Sequence, residues 1–260
     1  MKNSIEAEKP FPEIIFEDAN YLVINKPAGL TVHGGSGIDE ITLADLLLAR
    51  MPDIATVGED PIRPGIVHRL DKEVSGLMVI AKTEDAFRSL KEQFQKRDIN
   101  KEYLALVHGQ LSKDEDEINF PIKRSRDGHK MAALPLNVDQ LLHRRRPQSR
   151  DEGNITGLFK AREAITQFQV LKKFINYTYV SVKIKTGRTH QIRVHFFAYG
   201  HPLAGDNLYF TKKTKVKNEK LGLGRVFLVA SRLAFKDLAG EQREFALNLP
   251  IELEARLPKA

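Results

Sequence analysis

The feature that most constrains the fold of this chain is the uninterrupted apolar run Leu77–Ala81, which follows a charged segment. A short apolar run between turn residues is typical of a strand buried inside a sheet. Just before it stand Arg69 and Asp71, between Gly65 and Gly76, and glycine adopts backbone conformations that side chains forbid. The sequence therefore predicts a shaped loop that holds the carboxylate of Asp71 beside the core.

This stretch alone leaves two interpretations of Asp71 open. A carboxylate in a turn often caps the local backbone, while neighbouring basic side chains such as Arg69 and Lys72 are simply solvated. The same carboxylate, fixed beside the core, is also suited to catalysis. The rest of the chain has to decide between a structural and a catalytic role.

Composition excludes several classes of protein. With 42% hydrophobic and 29% charged residues, the 260-residue chain is typical of a globular protein, and it is long enough to bury a sizeable core. The absence of cysteine excludes disulfides, thiolate catalysis, iron–sulfur clusters and cysteine-ligated zinc. No apolar run approaches the length of a membrane span, roughly 18 residues, and the N-terminal residues do not resemble a signal peptide. We therefore expect a cytoplasmic protein with no membrane association.

Positive charge is concentrated in two segments, 143–162 and 211–225, in a chain with net charge +7. Basic segments are often only solvated loops, but two of them in one basic protein favour contact with a phosphate backbone. We interpret both as loops and treat the first as a basic insertion at about 138–162. The candidate contacts to an RNA backbone are Arg144, Arg145, Arg146, Lys212 and Lys213.

Periodicity and cap signals place the remaining elements and indicate an α+β protein. Residues 1–12 are expected to be a flexible tail, and 13–260 a single domain. Strands are predicted at 13–17, 21–26, 77–81, 101–109, 164–174, 177–185, 225–235 and 243–250, and helices at 42–51, 84–98 and 192–199. His190 and His195 miss the i, i+4 spacing of helical zinc sites, so we expect no metal.

Three stretches carry a resemblance to a known family. HRLDKEVSGLMVIAKT (68–83), KEYLALVHG (101–109) and KTGRTHQIRVH (185–195) resemble, in content and order, the RluA-type family of pseudouridine synthases. NKPAGLTVH (25–33) and HPLAGDNLY (201–209) are similar to the same family, and the resemblance covers residues 13–255. It implies an α+β catalytic domain with a mixed, mainly antiparallel central sheet flanked by helices and loops.

The resemblance also implies roles for individual residues. Asp71 matches the catalytic aspartate, Tyr103 the tyrosine that stacks on the target base, and Arg193 the arginine that pairs with the aspartate. Arg69 matches the arginine that fills the space left by the flipped nucleotide. From the residues alone, a tyrosine in such a strand is more often part of the core. Further candidate substrate-binding residues in the same motifs are His68, Arg188, His190 and Gln191.

The implied reaction fits these residue types. Isomerising uridine breaks the glycosidic bond, turns the uracil and rejoins it through carbon 5, with no net redox change, so no cofactor is expected. The required carboxylate acts either as a nucleophile or as a base at the ribose 2′ position, and the sequence leaves both open. A nearby guanidinium favours the ionised carboxylate against the effect of burial.

The chain departs from the family pattern in three places. Val74 stands where threonine or serine is usual, which removes a hydroxyl from the aspartate loop. Many relatives carry a small N-terminal RNA-binding module, whereas only the expected tail precedes the catalytic domain here. The Arg-rich insertion is the third departure, and we hypothesise that it partly replaces that module.

The resulting interpretation is a monomeric isomerase that modifies uridines in structured RNA. Ribosomal RNA is the expected substrate, with transfer RNA as the close alternative. Two other classes stay open as alternatives: a non-catalytic RNA-binding or ribosome-assembly protein, and a glycoside hydrolase, which typically needs a second carboxylate that the sequence does not pair with Asp71. The sequence does not identify the target uridine.

Overall fold

The computed structural model describes residues 9–34, 40–125, 130–134 and 161–258. The strands among them are β1 Glu13–Glu17, β2 Tyr21–Lys26, β3 Ser75–Ala81, β4 Asn100–His108, β5 Glu115–Ile118, β6 Ile122–Arg124, β7 Met131–Ala133, β8 Thr166–Lys173, β9 Tyr177–Ile184, β10 Leu228–Lys236 and β11 Gln242–Ala246. The helices are α1 Leu43–Arg50, α2 Glu84–Lys96, α3 Gln191–Ala198, α4 Lys212–Leu221 and α5 Ile251–Glu254, with a 3₁₀ helix at Pro52–Thr56.

The chain divides into two compact units. The first consists of Met1–Lys101 and Val229–Asn248, and the second of Glu102–Leu228 and Leu249–Ala260. The predicted aspartate loop lies in the first unit, whereas the predicted tyrosine and arginine lie in the second.

The sheet of the first unit is built around β3. Its strand order is β1-β2-β3-β10, with β11 also paired to β10. The pairing of β3 with β10 is parallel and the other pairings are antiparallel. Every residue of β3 is buried, as the apolar run Leu77–Ala81 predicted.

Side-chain caps fix the helices of the first unit. Thr42 and Asp45 form a reciprocal capping box at the start of α1, and the hydroxyl of Thr83 accepts a hydrogen bond from the backbone at the start of α2. The helix predicted at 84–98 is therefore confirmed. Helix α2 ends at Lys96, two residues before the predicted end at 98, because Arg97 adopts the left-handed conformation.

The second unit contains an antiparallel sheet in the order β4-β9-β8-β5, with β6 and β7 forming a separate ribbon. The strands predicted at 164–174 and 177–185 pair as the antiparallel strands β8 and β9, and Thr178, Val180 and Val182 are buried. With one parallel pairing among antiparallel ones in the two units, the predicted α+β class with a mixed, mainly antiparallel sheet is confirmed.

The prediction of a basic loop at 211–225 was wrong, because most of this segment forms α4. Thr211 and Thr214 make a capping box at its N-terminus, and Gly222 ends it in the left-handed conformation. The helix lacks an apolar stripe, and its Val216 is exposed, so hydrophobic periodicity gave no signal. The caps were the signal available in the sequence.

Other segments had no specific prediction or lie outside the described residues. The short strands β5, β6 and β7 and the helix α5 were not predicted, and the Arg-rich segment falls almost entirely outside the described residues. Within the segment expected to be a tail, Lys9 bonds to Glu40 and Arg50 lies over the ring of Phe11. No helix in the described ranges combines the length and apolar character that a membrane span requires.

Candidate functional site

Asp71 lies in a turn between an isolated bridge at Ile66 and the start of β3. The backbone N–H of Val74 donates to the carbonyl of Asp71 at 3.1 Å. Leu70 and Val74 are buried on either side, while Asp71 itself is half-buried. The apolar side chains thus fix the turn in the core, with Asp71 between them.

Two glycines allow the close backbone contacts that this loop requires. Gly65 and Gly76 have φ angles of +67° and +118°. A Cβ atom on Gly65 would lie 2.3 Å from the carbonyl oxygen of Ala81, and one on Gly76 would lie 2.2 Å from that of Ala230. No side chain fits at either position without moving β3 or β10, so the predicted shaped loop depends on both glycines.

Lys26 binds the backbone of the same turn, and the sequence analysis did not identify it as a site residue. Its side chain is fully buried, and Nζ donates to the carbonyls of Pro27 at 2.9 Å, Leu30 at 2.8 Å and Lys72 at 3.3 Å. The N–H of Gly29 donates to the same Lys72 carbonyl. The available signal was a lysine at the end of an otherwise apolar strand.

Glu40 binds the outer side of the turn. Its carboxylate accepts hydrogen bonds from the Thr31 hydroxyl and from the ammonium groups of Lys72 at 2.9 Å and Lys9 at 3.4 Å. The bond from Thr31, followed by that from Lys72, lowers the pKa of Glu40 to about 2. Glu40 is therefore ionised at neutral pH and steadies the residue that follows Asp71.

His68 connects the aspartate loop to β3 and α2. Its Nε2 accepts a hydrogen bond from the N–H of Val79 at 3.0 Å, and its ring stacks on Phe94 at 4.6 Å. Burial, and then the charge of Lys101, lowers the pKa of His68 to about 3. The imidazole is therefore neutral, with its proton on Nδ1. These contacts support the loop, and the substrate contact expected of His68 stays a prediction.

Arg69 lies on the surface of the first unit. Its Nη1 is 2.9 Å from Nε2 of His33, in the stretch after β2 that resembles the family. Arg69 is exposed, and it directly precedes Leu70, whose buried side chain anchors the turn in the core.

In the second unit, Tyr103 occupies β4 opposite Val182 of β9. The residue is only 7% exposed. Burial is common to both interpretations of Tyr103, a core tyrosine and a ring enclosed in an active site. Its stacking role stays a prediction.

Arg193, on α3, is 4% exposed and makes a bidentate ion pair with Asp206. Nε donates to one carboxylate oxygen at 2.8 Å and Nη2 to the other at 2.9 Å, while the ring of Tyr209 lies 5.4 Å from the guanidinium carbon. Asp206 also accepts bonds from the N–H groups of Leu208 and Tyr209. This cradle fixes the plane of the guanidinium.

Sequence reasoning missed Asp206, although it lies in the stretch at 201–209 that resembles the family. A guanidinium carries five N–H donors, so the pair with Asp206 through Nε and Nη2 does not prevent Arg193 from binding a further group. The expected pairing of Arg193 with Asp71, which lies in the first unit, stays a prediction.

Gln191 links the start of α3 to β8. Its Oε1 accepts bonds from the Thr186 hydroxyl and the N–H of Arg188, and its Nε2 donates to the carbonyl of Ile165 and the hydroxyl of Thr166. These bonds use the full hydrogen-bonding capacity of the amide. Gln191 therefore positions the loop, and the substrate contact expected of it stays a prediction.

His190 and Arg188 lie in the same loop. His190 caps α3 in the left-handed conformation, and its Nδ1 is 2.9 Å from the hydroxyl of Tyr209, which also accepts from the N–H of Met131 at 2.8 Å. Nε of Arg188 donates to the carbonyl of Glu163. The loop before Arg193 is thus anchored at several points, and the substrate-binding roles of both residues stay predictions.

The remaining candidates concern RNA backbone contact and metal binding. Lys212 and Lys213 are exposed in the first turn of α4, whereas Arg144, Arg145 and Arg146 lie outside the described residues. His195 is buried between the Thr166 hydroxyl and the Phe120 carbonyl. In the part of the chain that the structure describes, no three acidic, histidine or cysteine side chains are grouped as metal ligands.

Comparisons with known proteins place the sequence in a family. Residues 20–198 match the family model described as RNA pseudouridylate synthase. An uncharacterized RNA pseudouridine synthase of Aquifex aeolicus is 42% identical over 91% of this chain and 69% of its own length. Ribosomal large subunit pseudouridine synthase D of Nitrosomonas europaea is 41% identical over 79% of this chain and 52% of its own length.

A solved structure shows the same fold. Human RNA Pseudouridylate Synthase Domain Containing 1 is 24% identical, with a TM-score of 0.69 over 94% of this chain and 86% of that one. The region that the family model matches, residues 20–198, includes the aspartate loop, β4 and α3, which carry candidate site residues.

Proposed function

The chain belongs to the RluA-type family of RNA pseudouridine synthases, which are isomerases, and from this premise we propose that it converts specific uridines of ribosomal RNA to pseudouridine. Ribosomal RNA is favoured over transfer RNA because relatives about 40% identical are named as ribosomal large subunit pseudouridine synthases.

The observation that carries the chemical assignment is the held carboxylate of Asp71. Gly65, Gly76 and Lys26 fix the backbone of its turn, so the carboxylate is presented by a rigid support. Such preorganisation is what a catalytic group requires, because misplacement by about 1 Å reduces rates strongly.

In the proposed reaction, Asp71 acts on the ribose of the target uridine, either as a nucleophile at C1′ or as a base at C2′. The C1′–N1 bond breaks and the uracil turns. A C1′–C5 bond then forms, C5 loses its proton and N1 gains one. The product is an isomer of the substrate, so no atom or electron is supplied from outside.

Tyr103 and Arg193 are proposed to assist Asp71. The target base must leave its stack, which costs a few kcal/mol, and stacking on the Tyr103 ring returns about 1–3 kcal/mol. The guanidinium of Arg193, oriented by Asp206, is proposed to favour the ionised form of Asp71. Arg69 is proposed to occupy the space that the flipped nucleotide leaves.

The test is to incubate the protein with ribosomal and transfer RNA from a strain lacking its gene and to map pseudouridine chemically. Asp71→Asn keeps the size of the side chain but removes the carboxylate, and it should form no pseudouridine. The matched control is Glu73→Gln, which removes another half-buried carboxylate from the same turn and should retain activity.

Each outcome has a distinct meaning. New sites in ribosomal RNA that depend on Asp71 support the proposal, whereas sites only in transfer RNA replace the proposed substrate. Activity that survives Asp71→Asn rejects the assigned carboxylate. RNA binding without any pseudouridine from the wild-type protein would make a non-catalytic RNA-binding protein the better description.

A further inference from the structure

Helix α4 presents a strongly basic surface that is not neutralised locally. The helix carries five lysines and a single acidic residue, Glu219. The exposed Lys212, Lys213, Lys215 and Lys220 make no ion pair with any described residue, whereas many lysines elsewhere on the described surface do. Placing lysines in the first turn also opposes the helix dipole, and binding of phosphate would relieve that repulsion.

Among the described residues, few side chains connect α4 to the rest of the second unit. Thr214 is its buried residue, Lys217 reaches the side chain of Asn176, and Arg256 donates to the carbonyl of Leu221 at 3.3 Å. A further link is Asn218, on the same face as Thr214 one turn later.

The side chain of Asn218 makes three hydrogen bonds. Two of them go to the backbone of Gly205 and Asp206, in the loop whose Asp206 carboxylate binds Arg193. Its Nδ2 donates to the carbonyl of Asp206 at 3.0 Å, and its Oδ1 accepts from the N–H of Gly205 at 2.9 Å and from Nε2 of His108 at 2.7 Å. The side-chain amide of Asn218 therefore clamps the backbone on both sides of the 205–206 peptide.

This clamp acts on the residue that orients Arg193. The Asp206 carboxylate binds Nε and Nη2 of Arg193, so any displacement of the Asp206 backbone moves the guanidinium. The loop has little room to adjust, because a Cβ on Gly205 would lie 2.1 Å from the carbonyl oxygen of Arg225. A short and stiff chain of contacts thus runs from α4 through Asn218 and Asp206 to Arg193.

His108 fixes the orientation of the amide. The residue is buried, and among the described residues its Nδ1 has no hydrogen-bond partner. Burial lowers the pKa of His108, so the ring is neutral and its proton lies on Nε2, where Asn218 accepts it. The oxygen of Asn218 therefore faces His108 and Gly205, and its nitrogen faces Asp206.

We propose that the lysines of α4 bind the RNA phosphate backbone and that Asn218 is a positioning residue linking this helix to the guanidinium of Arg193. The inference rests on the proposed function and extends it, because it assigns binding and positioning to different residues of one helix. RNA held on α4 is thereby kept in register with Arg193.

The test separates binding from chemistry with two sets of variants. For Asn218→Ala, the single-turnover rate at saturating RNA should fall roughly tenfold to a hundredfold, as expected for a displaced catalytic partner, while the Kd for RNA changes little. Replacing Lys212, Lys213 and Lys215 together by Ala should do the reverse, weakening binding and reducing the salt slope by roughly 0.9 for each phosphate that is no longer neutralised.

Asn176→Ala is the matched control, since Asn176 also bonds to α4 but, among the described residues, makes no hydrogen bond to Gly205 or Asp206. Both the single-turnover rate and the Kd for RNA should stay at the wild-type level. Asn218→Asp covers the case in which the alanine variant does not fold. Its carboxylate still accepts from Gly205 and His108 but cannot donate to Asp206, and it should raise the pKa of His108. The rate of this variant should therefore be low and should show a pH dependence absent from the wild type.

A folded Asn218→Ala or Asn218→Asp protein with the wild-type rate at saturating RNA would overturn the link to Arg193, as would an equal loss in Asn176→Ala. Unchanged RNA binding by the triple lysine variant would overturn the role of α4. If the wild-type protein forms no pseudouridine in any RNA, the proposed function fails, and this inference fails with it.

Discussion

The ammonium group of Lys26 has no exposed surface, yet it satisfies three backbone carbonyls, one of which belongs to the turn of Asp71. In the second unit, Asp206 does the comparable work for Arg193. Buried polar groups of this kind hold their partners firmly, because an unsatisfied donor or acceptor in the interior is costly. At the scale of single residues, the candidate site therefore depends on side chains that need not touch the substrate.

Lys26→Met should destabilise the protein. It leaves the buried carbonyl of Leu30 without its donor, while the carbonyl of Lys72 keeps the N–H of Gly29, so the free energy of unfolding should fall by about 1–3 kcal/mol. Lys72→Met is the control, since it removes an exposed ion pair with Glu40 that is worth up to about 1 kcal/mol. Urea denaturation measures both, and equal effects would contradict the assigned role of Lys26.

His68 predicts a pH dependence of stability. Its pKa is lowered to about 3 in the folded protein, from an ordinary value of 6.5, so between these values the unfolded chain binds the extra proton. Stability from this group is fully present above pH 6.5 and is lost as the pH falls toward 3.

His68→Gln should remove that dependence while retaining a hydrogen-bond acceptor. The difference in unfolding free energy between wild type and variant should shrink as the pH is lowered from about 7 toward about 3. Urea denaturation across this range provides the measurement. Parallel curves for the two proteins would show that His68 does not remain neutral in the folded state.

At the scale of elements, β3 and α4 illustrate two kinds of constraint. β3 is specified by its own apolar sequence, but its approach to β10 requires a glycine at position 76. α4 has little apolar character and is specified by its caps, Thr211 and Gly222. A strand is thus fixed by burial and a surface helix by its ends, which explains why periodicity found the first and missed the second.

Gly76→Ala should destabilise β3 and displace the turn of Asp71. The added Cβ meets the backbone of Ala230, and the positive φ angle adds strain of order 1–3 kcal/mol. Gly240→Ala is the control, because Gly240 also has a positive φ angle but no atom lies within 4 Å of the position that its Cβ would take.

Gly240→Ala should therefore be destabilised only by the backbone strain. Gly76→Ala should lose more stability and most of the activity. Urea midpoints and pseudouridine formation on the substrate RNA measure the two effects. Equal midpoints for the two variants would reject the close approach of β3 and β10 as the reason for Gly76.

At the scale of the whole molecule, the distribution of positive charge bears most directly on RNA binding. The chain carries a net charge of +7, and among the described residues α4 concentrates part of it on one surface. A basic surface attracts polyanions without reading their sequence, so it supports RNA affinity but does not select a uridine. Selection has to come from the shape of the site and of the RNA.

Deleting residues 143–160 should weaken RNA binding and reduce its salt dependence, because the segment contributes Arg144, Arg145, Arg146 and Arg150. A full-length variant with Arg144, Arg145 and Arg146 replaced by Gln separates charge from length and should reproduce most of the effect. Titrations at several salt concentrations measure both. Unchanged affinity and salt slope in the deletion variant would contradict the hypothesis that this segment partly replaces an RNA-binding module.

Elements and motifs with local signals could be predicted from the amino-acid sequence. The buried strand β3, the N-cap Thr83 and the turn around Asp71 each follow from a few neighbouring residues, since burial pattern, capping and glycine conformation act over short stretches of chain. The resemblance then identified the family, which the comparisons confirmed. The roles of individual site residues stay predictions.

The groups that support the site can be identified only in the folded chain. Lys26 meets the carbonyl of Lys72 across 46 positions of sequence, and Arg193 meets Asp206 across 13. Asn218 joins a helix predicted as a loop to the strand residue His108, 110 positions away. Such contacts leave no periodic or local pattern, because hydrogen bonds between distant residues depend on how the chain folds back on itself and not on the composition of either segment.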